Sequence, residues 1–402
     1  MKRILFYYDS YCGGESHGGT EVATSRIARA LQSTGKWEVY NACKRRRDSL
    51  NENLYAGVKV LRNRANFISD LADFIRENEI DVMVNMGRFY RQHKLKKAIA
   101  TSGRDVKLMF MHHFAPGSES RKHTYAAGWH LLKLEPLNPG YWVRGTVYPL
   151  FKLQRRLWLS RMYRKILEES DGVVLLSAGY KTEYLRKAYG CKSPTGAAEN
   201  EGKFFAIPNI YDPKEKLGEL KKEKRVLVLS RMDEIQKRIS LALRIWKKIE
   251  EETDLQDWTL DIVGSGHDAR AVKKLAQKLG LKNVVFHGWQ PSVEFLERSP
   301  ILMMPSLYEG LSLSMIEAQS YGCIPIAYNS YASLSDIVTD GENGVIVEKF
   351  GDVEGFASKL ASLMRDDEKR AEMSVNAIRK SNVFSSEKVA RKWLAMLDII
   401  TS

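Results

Sequence analysis

The chain has 402 residues, of which 44% are hydrophobic and 28% charged, and this composition excludes a disulfide-stabilised miniprotein, a collagen-like chain and a largely disordered chain. Lys and Arg outnumber Asp and Glu by 63 to 49, and the net charge of +14 predicts attraction to phosphate, on nucleic acid, anionic lipid or a phosphorylated small molecule. The four cysteines lie far apart without a C-x-x-C pair, and no run approaches the roughly 20 apolar residues of a membrane-spanning helix, so we expect a cytoplasmic protein whose membrane contact is at most peripheral.

Short apolar runs alternate with longer amphipathic stretches, which predicts β-α-β units around parallel sheets. In a first series, a strand over 4–8 leads through two glycine pairs to a helix over 21–32. Later strands of that series are predicted over 81–85, 107–111, 172–176 and 204–207. A second series begins with a strand over 225–229 and a helix over 240–251. Its later strands are predicted over 259–263, 284–286, 301–304 and 324–327. We therefore predict an α/β protein with two Rossmann-like domains.

The turn Pro208-Asn209 and the stretch 212–224 are rich in charge and poor in apolar residues, which predicts a linker. We place an N-terminal domain over 1–211 and a C-terminal domain over 222–385.

Two basic stretches stand out in the first series. Residues 144–165 contain seven cations, no acidic residue and four interleaved aromatic residues, and two more aromatic residues, Tyr141 and Trp142, lie just before them. That pattern is typical of a segment that lies on an anionic membrane, and equally of a solvated helix whose aromatic side chains face the core. The run 44–47 is interpreted as a solvated loop, with phosphate contact as the alternative.

The most informative segment runs from Pro305 to Ala318. It follows an apolar strand and places Glu309 in a loop and Glu317 eight positions later, on the predicted helix. The helix N-terminus offers N–H groups to a phosphate, and Gly310 lets a ligand approach the backbone. The carboxylates would instead accept hydrogen bonds from ligand hydroxyls on either side, as in a nucleotide sugar. An ordinary strand–turn–helix with solvated acids is the alternative interpretation.

Further motifs accompany this segment: Ser230-Arg231 and Lys237 upstream, and Val263-Gly264-Ser265-Gly266 between. In this order the motifs resemble those of the retaining glycosyltransferases of family four, most strongly over 226–347. The resemblance implies the GT-B fold, with two Rossmann-like domains facing a cleft: an acceptor domain, a nucleotide-sugar domain, and a C-terminal helix over 386–402 that crosses back to the N-terminal domain.

The resemblance also implies roles for individual residues. Arg231 and Lys237 would reach the donor diphosphate, where fixed cations offset the charge that grows on the leaving group, although either alone is more often a surface cation. Glu309 would contact the donor sugar, and Glu317 the ribose. Further donor-binding residues would be Gly18, Gly19, Gly264, Gly288, Trp289, Gly310 and Leu311.

The catalytic histidine of the family follows an N-terminal-domain strand, and here the strand over 107–111 is followed by His112 and His113. Strand register favours His112 as the residue that hydrogen-bonds the donor sugar. His113 would then lie behind the site or on the acceptor side. A metal site formed by both is a weak interpretation, because adjacent strand residues point to opposite faces.

The implied function is retaining transfer of a hexose-type sugar from a nucleotide-diphosphate donor to a glycan or lipid-linked acceptor, in cell-surface polysaccharide or lipopolysaccharide synthesis. The nucleotide sugar is a co-substrate, and no cofactor and no metal are expected, because the cations and helix amides supply the positive charge. The partners we expect are the nucleotide sugar, the acceptor and an anionic membrane surface.

Two other classes of protein share features with this sequence. Residues 264–269 match G-x-G-x-x-A, but no acidic residue follows the next strand, so the dinucleotide interpretation fails. A basic nucleic-acid-binding protein, or another nucleotide-binding α/β protein, stays as the alternative. The sequence contains no zinc-finger spacing, RNP-like motif or long basic tail, so we expect no nucleic-acid partner.

Overall fold

The computed structural model describes residues 1–13, 19–45, 54–63, 65–121, 125–134, 136–150, 152–190, 200–212 and 221–402. The chain forms two compact units. The first comprises Met1–Gly117, Arg156–Ile210 and Phe384–Ser402, and the second comprises Ser118–Arg155 and Tyr211–Val383. Most of the predicted linker over 212–224, like Gly18, lies outside the described residues.

The first unit is built on a parallel sheet, in which the described strands follow the order β3-β2-β1-β4-β5-β6-β7. These strands are nearly continuous apolar runs, as expected where helices cover both faces of a sheet. Their bounds are β1 (Lys2–Tyr7), β2 (Trp37–Cys43), β3 (Gly57–Val60), β4 (Val82–Asn85), β5 (Lys107–His112), β6 (Gly172–Leu175) and β7 (Phe204–Ala206).

The helices of the first unit include the predicted crossing helix at the C-terminus of the chain. They are α1 (Gly19–Gln32), α2 (Phe67–Glu77), α3 (Gln92–Ser102), α7 (Lys152–Glu169, from Arg156 onward), α8 (Tyr180–Tyr189) and α16 (Ser386–Thr401). Helix α16 packs against α1, and its fully buried Trp393 meets Phe6 of β1 edge to face, with ring centroids 6.1 Å apart. This placement of the C-terminal helix in the first unit confirms the prediction.

The second unit contains a second parallel sheet, in which the described strands follow the order β10-β9-β8-β11-β12-β13. Their bounds are β8 (Arg225–Leu229), β9 (Thr259–Val263), β10 (Val284–Gly288), β11 (Ile301–Met304), β12 (Ile324–Tyr328) and β13 (Val345–Val347). The predicted α/β class, with two Rossmann-like sheets, is confirmed.

Helices flank this sheet, and some of them come from before the predicted boundary. Their bounds are α4 (Ser118–Arg121), α5 (Tyr125–Leu134), α6 (Pro139–Leu150), α9 (Ile239–Ile249), α10 (Ala269–Lys278), α11 (Val293–Arg298), α12 (Leu313–Ser320), α13 (Leu334–Ile337), α14 (Val353–Arg365) and α15 (Asp367–Ser381). The core packs Trp246 of α9 and Phe356 of α14 against the strands, and both side chains are fully buried. Burial of such large side chains contributes about 1.5–3 kcal/mol each.

Candidate functional site

A cavity of about 390 Å³ lies in the second unit and is lined by residues from the ends of several strands. Ligands of parallel α/β sheets bind at the carboxyl ends of the strands. The lining residues are Leu229, Ser230, Arg231, Val263, Gly264, Ser265, Trp289, Gln290, Pro291, Ser292, Ser314 and Glu317. Four of the residues predicted to bind the donor, Arg231, Gly264, Trp289 and Glu317, therefore line one cavity.

The glycines after β9 allow two loops to lie against each other. Gly264 has φ +138°, and a Cβ there would lie 1.9 Å from the backbone oxygen of Ser230. A Cβ on Gly266 would lie 2.4 Å from the oxygen of Met232. Since such distances are impossible for a real side chain, larger residues would force the loops apart. Gly264 thus shapes the cavity wall through loop packing.

The lining of the cavity carries both signs of charge. Arg231 is exposed, and the half-buried Glu317 lies on α12. The Ser292 hydroxyl donates to Glu317 Oε1 over 2.8 Å, which fixes the orientation of that carboxylate. A cation and a carboxylate in the lining of one cavity suit a ligand that carries both phosphate and hydroxyl groups.

The N-terminus of α12 is not capped by a side chain. Ser312 occupies the N-cap position, but its hydroxyl lies 3.3 Å from Met304 Sδ and 3.3 Å from Ser314 Oγ and makes no capping hydrogen bond. The first N–H groups of an α-helix have no partner within the helix, and they carry a partial positive charge. The end of α12 therefore offers donors suited to an anion.

Lys237 and Glu309 form a buried ion pair, with Lys237 Nζ 2.7 Å from Glu309 Oε1. Gln236 Nε2 donates to Glu309 Oε2 over 3.1 Å, so both carboxylate oxygens are engaged. Neither charged residue is among those that line the cavity. The structure thus pairs two side chains that the sequence assigned to separate parts of the donor, and Lys237 reaches a phosphate only if it also leaves or shares this carboxylate.

The backbone beside this pair is strained. Arg238 has φ +54°, a left-handed conformation that a side chain disfavours. Burial lowers the pKa of the Arg238 guanidinium. Residues held in such conformations cluster at ligand-binding and catalytic sites, so this strain supports a functional role for the loop.

The other donor-binding predictions within the second unit lie at the end of β10 and in the loop before α12. Gly288 has φ +71° and its oxygen accepts a 2.6 Å hydrogen bond from the Gly264 amide, while the Trp289 side chain is 75% exposed. Gly310 is half-buried and Leu311 is buried in the loop before α12. Gly310 and Leu311 do not line the cavity.

Two buried acids that no sequence motif marks anchor this loop region. Glu234 is fully buried and accepts from the Ser240 amide and from His130 Nε2, both over 2.9 Å. Asp268 is also fully buried and accepts from Tyr141 Oη over 2.5 Å. His130 and Tyr141 lie on α5 and α6, about a hundred residues earlier in the chain, and no local spacing links them to these acids.

The only cluster of three possible metal ligands among the described residues is Asp233, His267 and Asp268. Asp268 Oδ2 already accepts from the Glu234 amide over 2.8 Å, and Asp233 Oδ1 from the Ile235 amide over 3.2 Å. Both carboxylates therefore accept backbone hydrogen bonds that stabilise the loop, which explains their position without a metal ion.

His112 and His113 differ in their surroundings in the first unit. His112 lies in an aromatic cluster, with ring centroids 5.4 Å from Phe89 and 5.6 Å from Tyr163. His113 follows the end of β5 next to Gly87, where a Cβ would lie 3.5 Å from His113 Cδ2. Neither ring nitrogen of His113 has a hydrogen-bond partner among the described residues. These surroundings favour His113 over His112 as the residue that faces a ligand.

Both imidazoles are neutral over the physiological pH range. Burial lowers the pKa of His112 to about 3, with a smaller contribution from His113, and burial lowers the pKa of His113 to about 4. A neutral imidazole both donates and accepts a hydrogen bond, whereas an imidazolium only donates. His113 can therefore bind hydroxyl groups in either sense.

The predicted glycine-rich loop is described only in part. Gly18 lies outside the described residues, and Gly19 is the first residue of α1. A Cβ on Gly19 would meet no atom within 4 Å.

The basic stretch 144–165 forms parts of α6 and α7. Its described aromatic side chains divide, since Tyr163 is buried and Trp158 is 52% exposed. Next to it, Trp142 is 50% exposed. Within the described part of the chain, no helix combines the length and the apolar character needed to cross a bilayer. Both interpretations of this stretch predicted helix, so its membrane role stays a prediction.

Comparison with known proteins links the second unit to one family. Residues 211–380 match the family model for glycosyl transferases group 1, and this confirms the resemblance for that region. An uncharacterized glycosyltransferase of Haemophilus influenzae is 31% identical over 195 residues, which cover 48% of this chain and 54% of that protein. The chain thus aligns with about half the length of this relative.

Solved structures match over nearly the whole chain. The apo form of the lipopolysaccharide outer core galactosyltransferase WaaB is 16% identical, with a TM-score of 0.66 and 99% of each chain covered. Anabaena Alr3699/HepE in complex with UDP is 15% identical, with a TM-score of 0.69, and covers 99% of this chain and 100% of that one. At these identities the likeness concerns the fold, and it confirms the GT-B fold.

Proposed function

We propose that this chain, whose residues 211–380 carry the match to glycosyl transferases group 1, is a retaining glycosyltransferase that moves a hexose-type sugar from a nucleotide diphosphate to a glycan or lipid-linked acceptor. The proposal is carried by the cavity of the second unit, where Arg231, Glu317 and the uncapped end of α12 offer a cation, a carboxylate and free amides. This is the set of groups that a nucleoside diphosphate requires.

The proposed mechanism uses fixed charge. As the bond to the sugar breaks, negative charge grows on the leaving diphosphate, and Arg231, Lys237 and the helix amides would stabilise it without a metal ion. Glu309 would hold Lys237 in place and contact the sugar. We assign front-face transfer, in which the leaving phosphate takes the proton of the acceptor hydroxyl, so that the new bond forms on the face the nucleotide leaves.

We assign the histidine role of the family to His113, reversing the preference that strand register gave to His112. Its place beyond the strand end and its unpartnered nitrogens support this choice. His112 would instead be a structural member of the aromatic cluster.

We place the reaction in cell-surface polysaccharide or lipopolysaccharide synthesis, at the cytoplasmic face of a membrane. WaaB, the lipopolysaccharide galactosyltransferase, shares the fold. The exposed Trp142 and Trp158 and the seven cations of 144–165 support contact with anionic lipid.

A panel of radiolabelled nucleotide sugars tests the activity. We expect enzyme-dependent release of sugar from one donor in the presence of EDTA, and the panel should begin with UDP-sugars because HepE was solved with UDP. Once an acceptor is found, proton NMR of the product should show the anomeric configuration of the donor. Hydrolysis of no donor, dependence on Mg²⁺ or inversion would each contradict a part of the proposal.

Vesicle sedimentation tests the membrane contact. Binding should require anionic lipid and weaken as salt rises, because each cation near the surface contributes up to about 1 kcal/mol that is screened within about 8 Å. A variant with Arg156, Arg161 and Arg164 changed to Glu should lose most binding while its circular dichroism is unchanged. Binding that survives this charge reversal would make 144–165 a structural segment.

A further inference from the structure

Three cations surround one carboxylate at the carboxyl edge of the first unit's sheet. Asp9 follows β1, Lys44 follows β2, and Arg88 and Arg91 follow β4. Lys44 Nζ lies 3.6 Å and Arg91 Nε 3.7 Å from Asp9 Oδ1, and Arg88 Nε lies 3.5 Å from Asp9 Oδ2. We call these four residues the Asp9 cluster. Its formal charge is positive, because three cations share one anion.

Tyrosine hydroxyls, and not the cations, make the short hydrogen bonds to Asp9. Tyr7 Oη donates to Asp9 Oδ1 over 3.0 Å, and Tyr90 Oη donates to Oδ2. The contacts to the cations are too long for good hydrogen bonds. Asp9 is thus satisfied by neutral donors, and the cations keep donors for another acceptor.

Two of those donors are buried without a hydrogen bond in the described part of the chain, and each has only the long ion-pair contact to Asp9 given above. The Nε atoms of Arg88 and Arg91 have no hydrogen bond among the described residues, and Arg91 as a whole is only 8% exposed. A buried N–H of a charged group without an acceptor carries a large desolvation cost. An anion bound here would supply the acceptor.

The loop that carries the arginines is rigidly built. Asn85 Oδ1 accepts from the Arg88 amide, and Asn85 Nδ2 donates to the Arg88 oxygen, both over 2.9 Å. Asn85 Nδ2 also donates to Gln92 Oε1 over 2.7 Å. The Arg88 guanidinium lies 4.1 Å from the centre of the Tyr8 ring, which holds its plane. Fixed donors lose little conformational freedom when they bind, so the loop is prepared for a ligand.

We propose that the Asp9 cluster binds the anionic group, a phosphate or carboxylate, of a charged saccharide acceptor. Arginine donors match these groups because two parallel N–H bonds reach two oxygens of one anion. Asp9 repels the anion itself and acts by holding the cations in position. The cluster is one residue from Gly87, the neighbour of His113, so the bound saccharide would extend toward that histidine.

This inference rests on the proposed function, because only a glycosyltransferase has a saccharide acceptor. Its test measures anion binding and does not require transfer. The affinity for glucose 6-phosphate is measured by isothermal titration calorimetry, with Arg231→Ala throughout to remove phosphate binding at the cavity of the second unit. Neutral methyl glucoside replaces it in a second series, and dihexanoyl phosphatidic acid in a third, which separates a sugar phosphate from a lipid phosphate.

We expect binding of a phosphate-bearing probe but not of methyl glucoside. Arg88→Gln with Arg91→Gln should weaken that binding by about tenfold or more, since charge-assisted hydrogen bonds are lost. The matched control Lys94→Gln with Lys97→Gln removes the same charge from exposed positions of α3 and should change the affinity less than twofold.

Circular dichroism of the double arginine variant shows whether it is folded, so that weaker binding through loss of the arginine contacts can be distinguished from misfolding. If the double arginine variant does not fold, the single variant Lys44→Gln, which keeps both arginines, decides, with an expected weakening of about threefold or more. Binding that is undetectable for every phosphate probe, or that falls equally in the control, overturns the inference. Weaker phosphate binding in the arginine variant but not in the control supports the inference even if the donor panel finds no transfer. Transfer without anion binding would support the proposed function but contradict this site.

Discussion

The two units of this protein gather their candidate residues in opposite ways. In the second unit, Arg231 and Glu317 follow strands of one sheet in short motifs with fixed spacing, and they line one cavity. In the first unit, Asp9 and His113 stand in loops after different strands, with one or two such residues in each loop. A site built from motifs can be found by spacing, whereas a site built across a sheet edge becomes visible only when the strand order is known.

The buried Lys237–Glu309 pair gives the largest expected effect and tests whether the second unit's site is more than a structural network. Lys237→Met leaves the Glu309 carboxylate buried without its cation, and the free energy of unfolding should fall by about 3–5 kcal/mol. Adding Glu309→Leu should restore most of it. Equilibrium urea unfolding measures this, resolved by transition because two units need not unfold together.

Transfer activity distinguishes a catalytic role of the Lys237–Glu309 pair from a purely structural one. The double variant should stay inactive in transfer although it is stable. A double variant that is both stable and active would leave the pair a purely structural feature. Lys94→Met on α3 is the control for the loss of an exposed lysine and should change stability by less than about 0.5 kcal/mol.

Arg231→Ala should lower transfer by about a hundredfold or more while leaving the unfolding free energy nearly unchanged, because this exposed side chain acts on charge that develops in the reaction. Initial rates at saturating donor measure the effect. An exposed arginine of the same unit, Arg244, provides the control through Arg244→Ala. Equal transfer rates for Arg231→Ala and Arg244→Ala would show that the Arg231 side chain has no role in the reaction.

The two buried histidines of the first unit should make the stability of the protein depend on pH. Burial lowers their pKa below the value near 6.5 of the unfolded chain, so between pH 6.5 and about 4 the unfolded chain binds more protons. Stability should therefore be complete above pH 6.5 and fall as the pH drops, by up to about 1.4 kcal/mol per pH unit for each histidine. His112→Phe, which suits the aromatic cluster, should flatten this slope in urea unfolding at several pH values. An unchanged slope would contradict the burial of His112.

The same pair of positions tests the assignment within the first unit. Transfer by His113→Gln should be at least about tenfold slower than transfer by His112→Phe, because only His113 is assigned a ligand contact. The reverse order would return the role to His112, as strand register had favoured.

The sequence predicted most strands of the fold because fully buried parallel strands are continuous apolar runs. It missed β2, in which Glu38 and Asn41 interrupt the apolar residues, and the short β3 and β13, whose three or four residues give no periodic signal. It also gave no signal that residues 118–155 belong to the second unit. That grouping depends on His130 meeting Glu234 and Tyr141 meeting Asp268, contacts between residues more than a hundred positions apart.

The candidate site was predictable to a similar degree. Arg231, Gly264, Trp289 and Glu317 were identified from motifs and lie together in one cavity. The pairing of Lys237 with Glu309 was not, because side chains 72 positions apart meet only through the packing of two loops. The Asp9 cluster was invisible for the same reason, apart from the basic run that begins at Lys44.

The central claim is that the second unit binds a nucleoside diphosphate without a metal ion. Isothermal titration of UDP, GDP and ADP into the full chain in EDTA tests it most directly. The account predicts that one of the three binds with a micromolar Kd, and that Arg231→Ala and Glu317→Ala each weaken binding by about tenfold or more through loss of a charged hydrogen-bonding partner. The claim would be contradicted if none of the three nucleotides bound, if binding appeared only after Mg²⁺ was added, or if both variants bound the nucleotide as tightly as the unsubstituted chain.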